Sequence, residues 1–183
     1  MNRLQQKYQQ DIVQSLKKEF SKENDFAVGK VLKVVISTRV NDEQHKDAAL
    51  KNVQDQLKTI TGRQPKTTIA RKPEAGFKIR KGEPLGLMVT LRGEYMWEFM
   101  DKLVSIVLPR TKDFQGISRT AFDQSGNYNL GIQEQILFPE IEYDNIDKVR
   151  GLQVTIVTST NDKKESFRLL ELLGMPFAKE NAN

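Results

Sequence analysis

The chain has 183 residues, 38% of them hydrophobic and 29% charged, with a formal net charge of +5, a mean hydropathy of −0.56 and no cysteine. That length and apolar content support a folded protein with a real core, while the missing thiol excludes disulfides, thiol catalysis and cysteine-ligated zinc and fits a reducing compartment. The opening MNRLQQKYQQD lacks the apolar centre of a signal peptide, and no run of about 18 apolar residues occurs, so a soluble intracellular protein is expected.

Leu4, Tyr8, Ile12, Leu16 and Phe20 recur every four residues and predict an amphipathic helix that ends in the polar run 21–25. Residues 31–38 are β-branched and mostly apolar and predict a strand buried on at least one face. A second helix is expected over 43–61, capped by Asn41 or Asp42, with Ala49, Val53, Leu57 and Ile60 inside and Gly62 as its stop. A short strand follows at 67–70, a long excursion at 71–84 and a strand at 85–91. Residues 94–108 predict an apolar helix with Trp97, Met100, Val104 and Val107 on one side, ended by Pro109. The polar stretch 110–131 holds a hairpin or an ordered loop, 132–138 reads equally as strand or loop, and 139–147 is acidic. Period-two alternation predicts a strand at 152–158, a turn starts at Ser159 or Thr160, and a last helix over 163–173 is stopped by Gly174 and Pro176. The strands are too few and short for a doubly wound parallel sheet, so the expected class is α+β, a mainly antiparallel sheet with helices on one face. The other face is left open, with Thr67, Thr90, Thr155 and Thr158 expected to point to it. No repeat or low-complexity linker interrupts the chain, which predicts a single domain over 1–183 with an extended basic loop near 71–84 and an insertion near 109–147.

The positive charge is local. Residues 58–81 contain eight Lys or Arg against one acid, Glu74, and are threaded with Gly62, Pro65, Pro73, Gly76 and Phe77. Such a surface suits a phosphate backbone and suits an ordinary small substrate poorly. Arg63, Lys66, Arg71, Lys72, Lys78, Arg80 and Lys81 can each reach a phosphate, the arginines as rigid forks. Phe77 either stacks on an exposed base or folds back onto the core. RNA is favoured over DNA, because no helix-turn-helix pattern occurs and no helix carries a dense basic face. A second basic site gathers at Arg110, Lys112 and Arg119, interleaved with Phe114 and Phe122 and diluted by Asp113 and Asp123.

Constellations for chemistry are missing from the sequence. His45 is the only histidine and reads as a surface residue near a helix start. TGRQPKTT lacks the Gly-Lys-Ser/Thr ending of a phosphate loop. Glu140, Glu142 and Asp144 alternate as strand residues facing one way do. They read as a solvated acidic edge, as a surface for a basic protein or, least favoured, as a cation site. No general base stands beside a nucleophile, so neither enzyme nor cofactor is expected. A free protein-interaction module built on PEIEYD is the rival to RNA binding.

The stretches ARKPEAGFKIRKGEPLGLMVTLRGEYMWEFMDKLVSIVLPRTKDFQGI, FDQSGNYNLGIQEQILFPEIEYD and KVRGLQVTIVTST closely resemble the bacterial large-subunit ribosomal protein family numbered five, which binds 5S rRNA. AGFKIR, VTLRG and MWEF are specific, and the similarity runs over nearly the whole chain. The resemblance implies an antiparallel sheet of about five strands, helices on its convex face and a concave face toward RNA. It also implies a cytoplasmic, structural constituent of the large ribosomal subunit with no catalysis, cofactor, metal or membrane. The implied partners are 5S rRNA, 23S rRNA, peptidyl-site tRNA, a small-subunit head protein across an intersubunit bridge, and neighbouring large-subunit proteins of the central protuberance.

By this resemblance the 5S rRNA contacts fall on Ser37, Arg39, Arg63, Lys66, Thr68, Phe77, Thr90 and Arg92. The tRNA-facing loop is Arg71, Lys72, Ala75, Gly76, Lys78, Ile79, Arg80 and Lys81, and the intersubunit contact is Arg110, Asp113, Glu134, Glu140, Glu142 and Asp144. Two places depart from the family. Members usually have Asn-Met-Gly-Val-Gly after the first strand, where this chain has Ser37, Thr38, Arg39, Val40 and Asn41, so a turn needing positive φ at Arg39 is expected to be strained. Arg63 stands where an amide is usual and exchanges an acceptor for a guanidinium that pairs with phosphate or a guanine edge.

Overall fold

The computed structural model describes residues 2–40, 46–143 and 146–179. Strands β1 (Val31–Arg39), β2 (Lys66–Ile69), β3 (Pro84–Leu91), β4 (Tyr128–Ile132) and β5 (Leu152–Thr158) form an antiparallel sheet in the order β2-β3-β1-β5-β4. Together with the helices this is the expected α+β class. By its contacts the chain divides into two compact units, Met1–Val34 with Arg92–Leu130 and Thr155–Asn183, and Val35–Leu91 with Gly131–Val154.

The first unit opens with α1 (Arg3–Lys7), a π turn (Tyr8–Ile12) and α2 (Val13–Glu19). A strict four-residue repeat drifts by about 40° per step on an ordinary α-helix. The wider π turn takes up part of that drift, and Leu4, Ile12 and Leu16 stay buried. Tyr8 is half-buried, its ring 5.6 Å from that of Trp97 and its hydroxyl donating to the Gly29 carbonyl at 3.1 Å. The same device recurs in α4 (Gly93–Lys102), which runs into a π turn (Leu103–Val107). There Trp97, Met100 and Val107 are buried as expected, but Leu103 takes the inside place and Val104 is half-buried.

Helix α5 (Lys163–Leu172) starts on the Asp162 side chain, which accepts from the Lys164 amide at 2.9 Å, and stops at Gly174 with φ +96. Beneath its first turn the buried Glu165 carboxylate accepts from the Gly29 amide at 2.9 Å and the Thr160 hydroxyl at 2.8 Å, with the Lys22 ammonium at 3.5 Å. Burial, with the Glu165 charge adding to it, pushes the Tyr8 phenol up to about 12. The stretch before β4 ends in a short hairpin, with Phe122 bridging Tyr128 antiparallel across a turn in which the Asp123 carboxylate accepts from the amides of Ser125 and Asn127, each at 2.8 Å. Phe122, Tyr128, Phe167 and Phe177 form one aromatic cluster, with ring centroids 4.5 to 6.3 Å apart. Thr158 does not reach an open face as expected. It is buried, with its hydroxyl 3.0 Å from the Gly126 carbonyl and 3.1 Å from the Ser166 hydroxyl.

In the second unit, α3 (Lys46–Thr61) packs against β3 and buries Ala49, Val53, Leu57 and Ile60, the stripe read from the sequence. The expected cap residues Asn41 and Asp42, and His45, lie outside the described residues. Strands β2 and β3 pair Lys66 with Met88, Thr67 with Leu87 and Thr68 with Gly86. Opposed residues share a face, so Thr68 joins the Gly86 row, whereas Thr67 sits on the side of buried Leu87. The expectation for Thr67 therefore fails by one register position. Strand β4 begins earlier than the ambiguous region 132–138 and ends on its first residue, Ile132; the rest is a loop with a 3-10 turn at Gln135–Leu137. In that loop Gln135 is buried, its amide donating to the Lys148 carbonyl at 2.7 Å and its oxygen accepting from the Arg150 amide. Glu140 and Glu142 lie in turn and loop, so the strand alternation expected of them is absent.

Candidate nucleic-acid interface

The second unit presents a groove built on strand alternation. Ile36 and Thr38 point inward, where the Thr38 hydroxyl donates to the Gly151 carbonyl at 2.8 Å, and this turns Ser37 and Arg39 outward. On β3 the outward row holds Gly86, Met88 and the exposed Thr90. The groove has a volume of about 480 Å³, and Ser37, Arg39, Thr68, Gly86, Gly151 and Gln153 are among its lining residues. Its floor is low because it has to be. A Cβ on Gly86 would lie 2.2 Å from the Thr38 carbonyl oxygen. Backbone, hydroxyls, an amide and a guanidinium thus offer donors and acceptors beside the apolar Leu85, Leu87, Ile132 and Leu152 of the same lining, a combination that suits an unstacked base.

Arg39 itself is unstrained. Among the described residues the non-glycine positive φ values fall on Ser21, Lys78 and Asp113. The strain expected at Arg39 is absent because pairing carries the chain onward, with the Val40 amide donating to the Leu85 carbonyl at 2.9 Å. The turn after α3 is closed by Gly62 with φ +65, whose amide donates to the Lys58 carbonyl at 2.8 Å. The Thr61 hydroxyl accepts from the Arg63 amide at 3.3 Å, and Arg63 is exposed beside it. Lys66 is exposed on β2, and Arg92 is exposed as the N-cap of α4.

The excursion 71–83 is ordered through its backbone. Ala70 and Glu83 pair at its base, Glu74 and Ile79 exchange both hydrogen bonds at 2.9 and 3.0 Å, and Ala75–Phe77 make a 3-10 turn. Lys78 closes the tip at φ +53, a conformation that costs an L-residue about 1–2 kcal/mol. Ile79 is half-buried, whereas Arg71, Lys72, Ala75, Gly76, Lys78, Arg80 and Lys81 are exposed. Phe77 is 70% exposed and does not fold onto the core; the Arg39 guanidinium carbon lies 6.0 Å from its ring centre. Among the described residues, Lys66, Arg71, Lys72, Arg80 and Lys81 form no ion pair with a carboxylate. Glu83 is used otherwise: its carboxylate pairs with Lys46 and accepts the Arg80 amide at 2.8 Å. The hydrogen bond from Lys46, and then that amide, hold its carboxyl below the usual range.

The residues read as an intersubunit contact are distributed over both units. Arg110 and Asp113 are exposed in the first, and Glu134 and Glu140 are half-buried and Glu142 exposed in the second. Asp144 lies outside the described residues. Among the described residues no group of three or more His, Cys, Asp or Glu could hold a metal ion, and no helix is long and apolar enough to cross a membrane. Sequence reasoning missed Gly86, Gly151 and Gln153 as groove residues. Period two along LQVTIVT does put Gln153 on the polar row of β5, but only the pairing of strands brings that row to Ser37.

A family profile described as ribosomal protein L5 matches residues 24–80, and a second profile, described as the C-terminus of the same ribosomal family, matches residues 84–177. The chain is 51% identical over 179 residues to the large ribosomal subunit protein uL5 of Thermoanaerobacter sp. (strain X514), covering 98% of this chain and 100% of the relative. It is 50% identical over 179 residues to the uL5 of Campylobacter hominis, covering 98% and 99%.

Proposed function

We propose that this chain, which belongs to the ribosomal protein L5 family, holds 5S rRNA in the large ribosomal subunit through the sheet groove and its basic surroundings. As a member of that family it is a structural, non-catalytic ribosomal component of the bacterial cytoplasm. In this reading Ser37, Arg39, Thr68 and Thr90 fix register on 5S rRNA. Phe77 offers a stacking face, and Arg63, Lys66 and Arg92 neutralise phosphates. The loop carrying Arg71, Lys72, Lys78, Arg80 and Lys81 serves peptidyl-site tRNA, with Ala75, Gly76 and Ile79 shaping it. The surfaces of Arg110 and Asp113 and of Glu134, Glu140 and Glu142 serve an intersubunit bridge to a basic protein of the small-subunit head. Contacts with 23S rRNA and with neighbouring proteins of the central protuberance complete its setting. Both compact units work as one 5S rRNA-binding domain, its concave sheet face toward RNA.

The observation that carries the reading is a groove of hydroxyls and bare backbone in one unit with exposed cations, of which Lys66, Arg71, Lys72, Arg80 and Lys81 form no ion pair among the described residues. An internally neutralised patch has no excess charge to offer a polyanion. Phosphate contacts make log K fall with log salt, by roughly 0.7–0.9 in slope for each contact. Binding of the full chain to a 5S rRNA transcript should lose roughly two to three units of slope when Arg63, Lys66 and Arg92 are all replaced by alanine. The fourfold alanine variant at Arg71, Lys72, Arg80 and Lys81 should keep 5S binding and release peptidyl-site tRNA from assembled ribosomes more readily. An unchanged slope in the first variant overturns the 5S assignment, and unchanged tRNA retention in the second overturns the assignment of the loop.

A further inference from the structure

A concavity larger than the sheet groove is lined by none of the residues assigned above to 5S rRNA or tRNA, and it takes in Arg119 and Phe122 of the second basic stretch. It belongs entirely to the first unit and has a volume of about 840 Å³, within the range of about 300–1,000 Å³ that holds small ligands. Its walls come from the end of α2 (Glu19, Phe20), the start of α5 (Lys163, Lys164, Phe167) and the loop before β4 (Arg119, Thr120, Phe122). We propose that this groove is a second RNA site, taking an unpaired ribonucleotide with its base on the Arg119 guanidinium and its phosphate against Lys163 and Lys164.

Three observations support it. The first is a ready-made shelf. The Arg119 guanidinium carbon sits 4.6 Å over the Phe167 ring, and that ring belongs to the cluster of Phe122, Tyr128 and Phe177. Arg119 is held by an aromatic on one side and is itself exposed, and planar guanidinium groups supported in this way stack bases. The second is the charge balance. The two acids of the groove, Glu19 and Glu171, are both committed to Arg168, at 2.9 and 2.5 Å. Asp123 is hydrogen-bonded within its own turn, where the Asn127 side-chain amide first, then backbone amides and the nearby Lys163 charge, hold its carboxyl below its usual range, and Asp162 caps the Lys164 amide. Lys163 and Lys164 are exposed and form no ion pair among the described residues, and with Arg119 and Arg168 they line the groove against the two acids Glu19 and Glu171.

The third is shape. Half-buried Phe20, Phe122 and Phe167 give an apolar floor beside the lysines, and a nucleotide is a flat apolar face attached to an anion. An acidic peptide answers the lysines but makes no use of a flat guanidinium shelf, which is why RNA is favoured over protein here.

The test uses the full chain assembled into large subunits. A benzophenone amino acid replaces Thr120 in one preparation and, as the control for the sheet groove, Thr90 in another. Irradiation of the Thr120 preparation should give an adduct that ribonuclease removes, and most of that adduct should vanish when Lys163→Glu and Lys164→Glu are added. The Thr90 adduct should survive those two changes. A Thr120 adduct that resists ribonuclease and yields to protease means that a protein occupies the groove, and it overturns the proposal. So does an absent adduct, or one indifferent to the two glutamates. Failure at Thr90 alone strikes the sheet groove and leaves this site standing.

Discussion

Gly86 ties the fold to the groove, and replacing it by alanine perturbs both at a calculable cost. The added Cβ falls 2.2 Å from the Thr38 carbonyl oxygen and 3.1 Å from the Arg39 Cα. Real Cβ contacts stay beyond 3.0 Å, so one backbone must retreat by roughly 0.8 Å, and no change of rotamer relieves it. Overpacking of this kind costs about 1–3 kcal/mol. In a chain of this size each kcal/mol lowers Tm by about 2–4 °C, which gives an expected drop of roughly 2–12 °C by scanning calorimetry. The matched control is Gly131→Ala in β4. That position has no heavy atom within 4 Å of the new Cβ and no positive φ, and the change should be neutral or stabilise by about 0.4–1 kcal/mol. The two variants should also part in function. Gly86→Ala displaces the strand end carrying Ser37 and Arg39 and should weaken binding to a 5S rRNA transcript, while Gly131→Ala should bind as the parent does. If Gly86→Ala melts and binds like the parent, or if the two alanines behave alike, the close approach of β1 to β3 is not what shapes the groove.

Three further outcomes are expected. Phe77→Ala should leave stability within about 0.5 kcal/mol of the parent because the ring is mostly exposed, yet cost about 1–3 kcal/mol of RNA affinity in a filter-binding titration; a loss of stability without a loss of binding contradicts the stacking role. Glu165→Ala strips the acceptor from the Gly29 amide and the Thr160 hydroxyl in a buried site and should cost on the order of 3 kcal/mol in urea unfolding, since buried donors are left unpaired. Asp147 makes two 2.7 Å hydrogen bonds to the Arg150 guanidinium, and these hold its carboxyl below the usual range. A carboxyl more acidic in the folded chain than in the unfolded one supports the fold above the unfolded value near 3.8, and that support is lost as pH falls through the lower folded value. Asp147→Asn should therefore be less stable than the parent at pH 7, with the gap closing toward pH 2; a gap that is constant with pH means the pair contributes nothing through ionisation.

What the sequence disclosed is what lies close together along it. The stripe Ala49, Val53, Leu57 and Ile60 and the alternation of Leu152, Val154 and Ile156 are local signals, and they became a buried helix face and a buried strand row. The basic stretch 58–81 was visible for the same reason, because its charges are neighbours in the chain. Long-range pairing was not visible. Thr67 and Thr68 differ by one position, and only the register against Leu87 and Gly86 decides which of them meets the groove. Strand β4 was hidden because Asn129 and Gly131 interrupt its propensity, although Tyr128 and Ile132 anchor it in the core. Gln153 lies more than a hundred residues after Ser37, and no local pattern joins them. The π turns after Lys7 and Lys102 were hidden too, since a four-residue repeat looks periodic until its drift around the helix is followed.

The basic loop shows how a segment can be ordered without being neutralised. Holding a run of cations in a fixed shape with carboxylates would cancel the charge the run exists to present. Here the order comes from the main chain instead, through the Glu74–Ile79 pair, the Ala70 contacts at the base and the 3-10 turn at the tip. The nearby acid Glu83 is turned toward Lys46 on α3 and the Arg80 amide, so it fastens the loop's base, and the side chains of Arg71, Lys72, Arg80 and Lys81 form no ion pair among the described residues. The main chain also carries the cost of the tip's shape, where Lys78 holds φ +53, a conformation glycine would adopt without strain. Backbone geometry sets the shape, side-chain charge remains available, and a polyanion meeting this loop finds cations already in position and need not order them itself.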